Sequence, residues 1–237
     1  METYFGPDMK IWFPISLGFN CHAKKFIEML CEADGRLYPR LPFDWIGTSM
    51  PAVYELVTTK FDGFLDPEKL VVRRRFSDKE DAYLTQTDLN IVFPHDFRTN
   101  EYSTATIQKV RDDYRRRIDR FYSVLASGPL LFLRIEMEEC AARIEYETTA
   151  SLADEYSALQ RFSCWAQSQG LRFFILHFTQ TRDSGFDKDF QIINLGFKKE
   201  KDTEIVSAYH LDRILKEHAD FLRACFATVH FQHRFST

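Results

Sequence analysis

Short apolar runs alternate with amphipathic stretches along most of this chain, and that alternation predicts its fold. The run from Lys10 to Leu17 is apolar enough to form a strand that is buried on both faces. After it the pattern becomes helical, with Phe26, Ile27 and Leu30 on one face of a helix over about residues 21–31. The sequence therefore predicts a buried strand that leads directly into a helix.

Further elements follow in the same way. Apolar positions three and four residues apart predict helices over residues 50–58, 104–125, 152–169 and 209–226. Nearly continuous apolar runs predict strands over residues 130–135, 171–178 and 191–195. Two more strand-like runs, separated by a polar segment, predict a β-hairpin over residues 69–76 and 82–93.

Short all-apolar strands between amphipathic helices indicate an α/β fold with three layers. We expect an open, mostly parallel sheet with helices on both faces, a central first strand, and the hairpin as an insertion or an antiparallel edge. No break in composition argues for a second domain. Residues 1–237 are therefore expected to form one domain, with a polar tail over about residues 229–237.

Composition narrows the class of protein. A formal net charge of -4 gives no general attraction to nucleic acid or to an anionic membrane. Five cysteines without paired spacing are typical of reduced thiols in a cytoplasmic protein. The chain has no CxxC or HExxH motif and no apolar run that is long enough to span a bilayer. We expect a cytoplasmic protein that binds no metal, cofactor, nucleic acid or membrane.

Cys21 is the candidate nucleophile. Gly18 permits a sharp turn after the first strand, and Asn20 is a good N-cap for the helix that follows. Cys21 would then lie in the first helical turn, where the helix dipole and free amides favour a thiolate and can hold an oxyanion. The alternative is a small apolar residue below a turn. Cys164 and Cys225 are expected to be buried on amphipathic helices.

A thiol nucleophile needs a base, and the base usually needs a third group to orient it. His95 is the best candidate, because it follows a strand in a loop that proline and aspartate flank. Either Asp96 or Asp44 could orient it, and the sequence does not decide between them. His22 adjoins the thiol but points elsewhere on the helix. His177 lies inside an apolar strand and is expected to be a core histidine.

Four residues are predicted to bind substrate. Asp44 and Trp45 lie in an irregular, unusually apolar segment, and Asn20 adjoins the thiol. In an alternative interpretation Phe43 and Trp45 pack in the core and Asp44 only caps a helix. Arg134 ends a buried strand, where a guanidinium needs a carboxylate or phosphate partner that could be a substrate.

Five short motifs occur in order along the chain. They are SLGxxC at residues 16–21, PFDW at 42–45, HDF at 95–97, RRIxRF at 116–121 and LFxR at 131–134. Together they resemble an uncharacterised, mainly bacterial family described as putative papain-like cysteine peptidases, over about residues 11–135. The resemblance implies thiol chemistry by a Cys21–His95 pair, and a papain-like α+β fold as the alternative architecture.

Three functions are consistent with these residues. The first is a cysteine-dependent hydrolase or peptidase, in which Cys21 attacks an amide or ester and His95 acts as base and then as acid. The second is a thiol-dependent acyltransferase in surface polysaccharide biosynthesis, because the chain is similar to capsule-biosynthesis acetyltransferases that also place a cysteine after their first strand. Arg134 could then bind an acidic group or a coenzyme phosphate. The third is a non-enzymatic binding protein. The substrate (a small molecule, peptide or glycan) and the oligomeric state stay open.

Overall fold

The computed structural model describes residues 12–18, 21–33, 35, 37–74, 82–97, 102–136, 152–198 and 208–222. Within these ranges the helices are α1 Cys21–Ala33, α2 Met50–Thr58, α3 Thr104–Leu125, α4 Leu152–Ser168 and α5 Ala208–Glu217. The strands are β1 Phe13–Ser16, β2 Leu70–Arg74, β3 Ala82–Gln86, β4 Ile91–Phe93, β5 Leu130–Ile135, β6 Phe173–Thr179, β7 Gly185–Asp187 and β8 Ile192–Gly196. None of the helices in the described ranges is both long and apolar enough to cross a lipid bilayer.

Five strands form the main sheet, in the order β1-β5-β6-β8-β7. The first four run parallel to one another, and β7 pairs antiparallel with β8 at one edge. Every residue of β5 and β6 is buried, as expected for inner strands of a parallel sheet that is covered on both faces. The predicted α/β fold with a mostly parallel sheet is confirmed.

Helices cover both faces of this sheet. Alternate residues of β5 point to opposite sides, so that Leu130 and Phe132 join one apolar cluster while Leu131 and Leu133 join another. Helices α2, α3 and α4 contribute to the first cluster, and α1 and α5 contribute to the second. The predicted arrangement of three layers is therefore confirmed as well.

A second, antiparallel sheet consists of β2, β3 and β4 in that order. The sequence predicts a two-stranded hairpin, but its second run is divided by a turn over residues 87–90, where Asn90 has a φ of 51°. Leu84 and Phe93 of this sheet belong to the same apolar cluster as Ile15 of β1. The insertion therefore shares a core with one face of the main sheet.

Two predictions are wrong, one about the position of a strand in its sheet and one about the burial of a cysteine. The sequence predicts β1 at the centre of its sheet, but β1 is an edge strand of the five that the structure describes. Cys164 is predicted to be buried, but it is exposed, because Leu159 and Phe162 form the buried side of α4. Cys225 lies outside the described residues.

The turn between β1 and α1 depends on Gly18. Its φ of +78° lies in the left-handed region that favours glycine. Its amide donates to the Ser16 hydroxyl over 3.1 Å. A Cβ atom at this position would lie 2.5 Å from the Thr48 Cγ2 atom. Both the backbone conformation and the close approach of Thr48 therefore exclude a side chain here.

Replacement of Gly18 by alanine should destabilise the protein more than the same change at Gly170. Gly170 also has a positive φ, +69°, but has no atom within 4 Å of the Cβ position. Gly170→Ala should lower the free energy of unfolding by about 1–2 kcal/mol for the left-handed backbone alone. Gly18→Ala should lower it by a further 1–3 kcal/mol or so, because Thr48 must move. Urea unfolding of both variants measures the difference, and equal losses would contradict the steric explanation.

Candidate active site

Helix α1 begins at Cys21, three residues after Gly18. The turn is tied to the sheet, because the Leu17 amide donates to the Leu133 carbonyl over 2.9 Å. Cys21 carries a free, half-buried thiol. The amides of the first helical turn have no carbonyl partner within a helix, and the helix dipole favours negative charge near them. Asn20, predicted to cap this helix and to contact substrate, lies outside the described residues.

Residues 41–49, which we call the bridging loop, contact both the turn at Gly18 and the second sheet. Gly47 exchanges two backbone hydrogen bonds with Val92 of β4, at 2.9 and 2.8 Å. At the end of the loop, the Thr48 side chain lies against Gly18. The loop therefore spans from the turn before α1 to the strand that leads into the predicted base.

The indole of Trp45, in the bridging loop, is contacted from two sides. The Lys24 ammonium lies 4.4 Å from the centroid of an indole ring. The imidazole of His95 meets the indole edge-on, with centroids 5.3 Å apart and planes at 85°. Lys24 lies about one helical turn after Cys21. One half-buried side chain thus contacts both the helix of the predicted nucleophile and the predicted base.

Asp96, next to His95, is bound to α3. Its Oδ2 atom accepts from the Tyr114 hydroxyl at 2.7 Å, and its Oδ1 atom accepts from Nη2 of Arg117 at 3.1 Å. The Arg117 guanidinium also lies over the Tyr114 ring, 4.3 Å from its centroid. Burial, followed by the Asp96 charge, raises the pKa of Tyr114 well above its usual value, so its phenol stays a donor. The loop that carries His95 is therefore anchored to α3.

Asp44 is fully buried, and its carboxylate binds groups of the protein. One oxygen accepts from the Leu41 amide at 2.6 Å, and the other accepts from the Tyr38 hydroxyl at 2.9 Å. Burial raises the pKa of Asp44 to about 7, although these hydrogen bonds and the cations of Lys24 and Arg117 oppose the shift. The carboxyl therefore exists in both protonation states near neutral pH.

The guanidinium of Arg134 is buried and bound to three chain segments. Its Nη1 atom donates to the carbonyl of Leu17 at 2.9 Å and to that of Thr48 at 3.1 Å. Its Nη2 atom donates to a Glu155 carboxylate oxygen at 2.5 Å, and the other oxygen accepts from the Met50 amide at 2.9 Å. The sequence predicts a carboxylate or phosphate partner for this arginine, and Glu155 supplies a carboxylate from within the protein. A contact between Arg134 and substrate stays a prediction.

Two other histidines were candidates for the base. Burial, followed by the charge of Lys25, lowers the pKa of His22, so its imidazole is neutral at pH 7. His177 is buried in β6, with Nε2 2.8 Å from a Glu136 oxygen and Nδ1 2.8 Å from the Asn194 side-chain oxygen. Among the residues that the structure describes, no group of three His, Cys, Asp or Glu side chains is placed to hold a metal ion.

Sequence reasoning missed Glu155. It is one of two acidic residues in the first turn of α4, where acidic side chains are common because they favour the helix dipole. Nothing local separates it from a solvent-facing residue. The only signal was indirect, because the buried charge of Arg134 requires an acidic partner somewhere in the chain.

The site lies within a stretch that is similar to known proteins. Residues 12–179, more than half of the chain, match the family model described as "Putative papain-like cysteine peptidase (DUF1796)". The chain is also similar to the uncharacterized protein R408 of Acanthamoeba polyphaga mimivirus, with 27% identity over 141 residues that cover 52% of this chain. The match covers 61% of that viral protein, less than two thirds of its length. No solved structure gives a significant match. A mainly bacterial origin of the family stays a prediction.

Replacement of Arg134 by lysine should strongly destabilise the protein. The lysine side chain ends in one nitrogen, which cannot occupy the positions of both Nη1, bound to two carbonyls, and Nη2, bound to Glu155. Breaking a buried ion pair typically costs about 3–5 kcal/mol. We expect a loss of about 3 kcal/mol in the free energy of unfolding, measured with urea. Arg172→Lys, at an exposed position, is the matched control and should stay within about 0.5 kcal/mol of the native protein. Similar small losses in both variants would show that the buried pair contributes little.

The raised pKa of Asp44 predicts a pH dependence of stability. The folded state binds this proton more tightly than the unfolded chain, so neutral Asp44 stabilises the fold fully below pH 3.8, and this contribution is lost as the pH rises towards about 7. Relative to Asp44→Asn, the native protein should lose up to about 1.4 kcal/mol per pH unit in that window and then level off. Urea unfolding of both proteins between pH 4.5 and 8 tests this. A constant difference between them across that range would contradict it.

Proposed function

The chain belongs to the family described as putative papain-like cysteine peptidases, and on that premise we propose that Cys21 is its nucleophile and His95 its general base. Family membership supports a cysteine-dependent hydrolase, a class that transfers an acyl group through a thiol. The bond that we propose it cleaves is an amide or an ester. Both residues lie within the matched stretch.

The contact of Trp45 with both Lys24 and His95 carries this proposal. A thiol and its base must come within hydrogen-bond reach during the reaction, although the separation is often looser in the free enzyme. The same indole contacts the His95 imidazole and the Lys24 ammonium of α1, the helix whose first residue is Cys21. His95 is exposed, so it can exchange protons with a substrate and with water.

In the proposed reaction, the Cys21 thiol gives its proton to His95 and the thiolate attacks the carbonyl carbon. The carbonyl oxygen becomes an oxyanion, which the amides of the first turn of α1 stabilise. His95 returns the proton to the leaving amine or alcohol as the C–N or C–O bond breaks, and a thioester forms on Cys21. Water that loses a proton to His95 then cleaves the thioester, and the thiol is restored.

We propose positioning roles for two more residues. Asp96 is anchored to α3, so its carboxylate fixes the loop that carries His95. Arg134 fixes the turn before α1 through the Leu17 carbonyl. Trp45 is half-exposed beside α1 and is the best placed of the predicted residues to contact a substrate.

The acyl acceptor separates the hydrolase from the acyltransferase that the sequence also suggests. Both enzymes would form the same thioester on Cys21. Water as the preferred acceptor defines a hydrolase, whereas faster transfer to a glycan hydroxyl defines an acyltransferase. A binding protein with a structural Cys21 would form no thioester.

Alkylation with iodoacetamide tests whether Cys21 is activated. We expect Cys21 to label faster than Cys164 at pH 7, although Cys164 is exposed and Cys21 is only half-buried. The reason is that helix amides and a cationic His95 favour the thiolate. Mass spectrometry of the labelled peptides measures both rates in the same molecule. His95→Ala should slow labelling of Cys21 and leave that of Cys164 unchanged.

Hydrolysis of p-nitrophenyl acetate tests the chemistry itself. The native protein should form an acetyl thioester on Cys21 and turn over, Cys21→Ser should be inactive, and His95→Ala should lose about 100-fold or more in kcat/KM. Cys164→Ser is the matched control and should keep full activity. The proposal is wrong if Cys21 labels no faster than Cys164 and does not respond to His95→Ala.

A further inference from the structure

We infer that Asp44 is a positioning residue for the proposed Cys21–His95 pair, and that its ionised form holds α1 and the His95 loop against the bridging loop. The inference rests on the proposed function, because it concerns how that pair is held. Asp44 acts through other side chains, since it is completely buried.

Asp44 lies where three elements of the structure meet. The bridging loop and the residues before it hold the carboxylate through the Leu41 amide and the Tyr38 hydroxyl. The cations of Lys24 on α1 and of Arg117 on α3 also lower the pKa of Asp44. Asp44 is therefore a buried acid with a cation on each of two helices.

Each of the two cations is connected with one member of the proposed Cys21–His95 pair. Lys24 lies about one turn after Cys21 and over the indole of the bridging loop. Arg117 binds Asp96, the neighbour of His95. An electrostatic attraction between Asp44 and these two cations would therefore act on α1, which carries Cys21, and on the loop that carries His95.

The force depends on the charge of Asp44. Each cation has another carboxylate partner, Glu28 for Lys24 and Asp96 for Arg117. When Asp44 is neutral, the two cations pair with these other carboxylates. Ionised Asp44 attracts both towards the bridging loop, because the interior screens charge less than water does, although the two cations lower the pKa of Asp44 less than its hydrogen bonds do.

The surroundings of Asp44 place this change near neutral pH. Its pKa of about 7 results from burial, so both forms are populated where thiol chemistry proceeds. In the part of the chain that the structure describes, the titratable and charged groups around it include Lys24 and its partner Glu28 on α1, Arg117 and Tyr114 on α3, Asp96 after β4, and Tyr38 with nearby Cys31.

Loss of positioning and loss of a direct charge effect would change the rate of Cys21 alkylation in opposite directions. A carboxylate near a thiol disfavours the thiolate, so removal of the Asp44 charge would speed alkylation of Cys21 if only the charge mattered. Loss of positioning would instead slow it, because Cys21 and His95 would be held less closely. The direction of the change therefore identifies the role.

The test is the rate of iodoacetamide labelling of Cys21 in the full chain from pH 5.5 to 9, with Cys164 as the internal reference. The native protein should show a rise near pH 7 that Asp44→Asn lacks, and at pH 8 the variant should label several-fold more slowly. Tyr38→Phe removes a hydrogen bond that lowers the pKa of Asp44, so it should move the rise to higher pH. This second variant keeps the test decisive if Asp44→Asn does not fold.

Asp62→Asn, at an exposed carboxylate after α2, is the matched control and should keep the native profile. The inference is overturned, and the proposed function stands, if Cys21 labels faster than Cys164 but Asp44→Asn and Tyr38→Phe keep the native profile. Faster labelling in Asp44→Asn also overturns it, in favour of a direct charge effect. A native Cys21 that labels no faster than Cys164 overturns the proposed function and this inference together.

Discussion

The candidate active site depends on the buried ion pair between Arg134 and Glu155. Removing two charges from water is unfavourable, and the pair is stable only where further hydrogen bonds satisfy both groups. Here the guanidinium also binds the carbonyls of Leu17 and Thr48, and the carboxylate binds the Met50 amide. All three backbone groups lie where a loop joins a strand or a helix. One pair of side chains therefore fixes the turn before α1, the end of the bridging loop and the start of α2.

The bridging loop contacts both the helix that carries the proposed nucleophile and the proposed base. Its adjacent residues Asp44 and Trp45 do so in different ways, Trp45 by van der Waals and cation–π contact and Asp44 by its electric field. A contact acts only on the groups it touches, whereas a buried charge acts on Lys24 and Arg117 together. If the inference about Asp44 holds, its ionisation would draw α1 and the His95 loop together without any change in the fold of the bridging loop itself.

The features that could be predicted from the sequence have local causes. Helix α3 was predicted over residues 104–125 and has those bounds, because the apolar spacing, the Ser103 cap and the stop after Leu125 are all local. The start of α1 at Cys21 likewise follows from a glycine turn and a change of periodicity. The edge position of β1 could not be predicted, since strand order depends on pairing with distant β5. Glu155 could not be predicted as the partner of Arg134 for the same reason, because tertiary packing selects it.

The separation of these contacts along the chain determines when the site can form during synthesis. Leu17 lies 117 residues before Arg134, and Met50 lies 105 residues before Glu155. A ribosome releases the N-terminal end first, so the thiol emerges long before β5 and α4 have been made. Contacts between distant residues also form slowly, because the chain loses conformational entropy on closing a long loop before the contact can stabilise it. A nascent chain therefore carries Cys21 before Arg134 and Glu155, which fix the turn ahead of α1 and the start of α2, have been made.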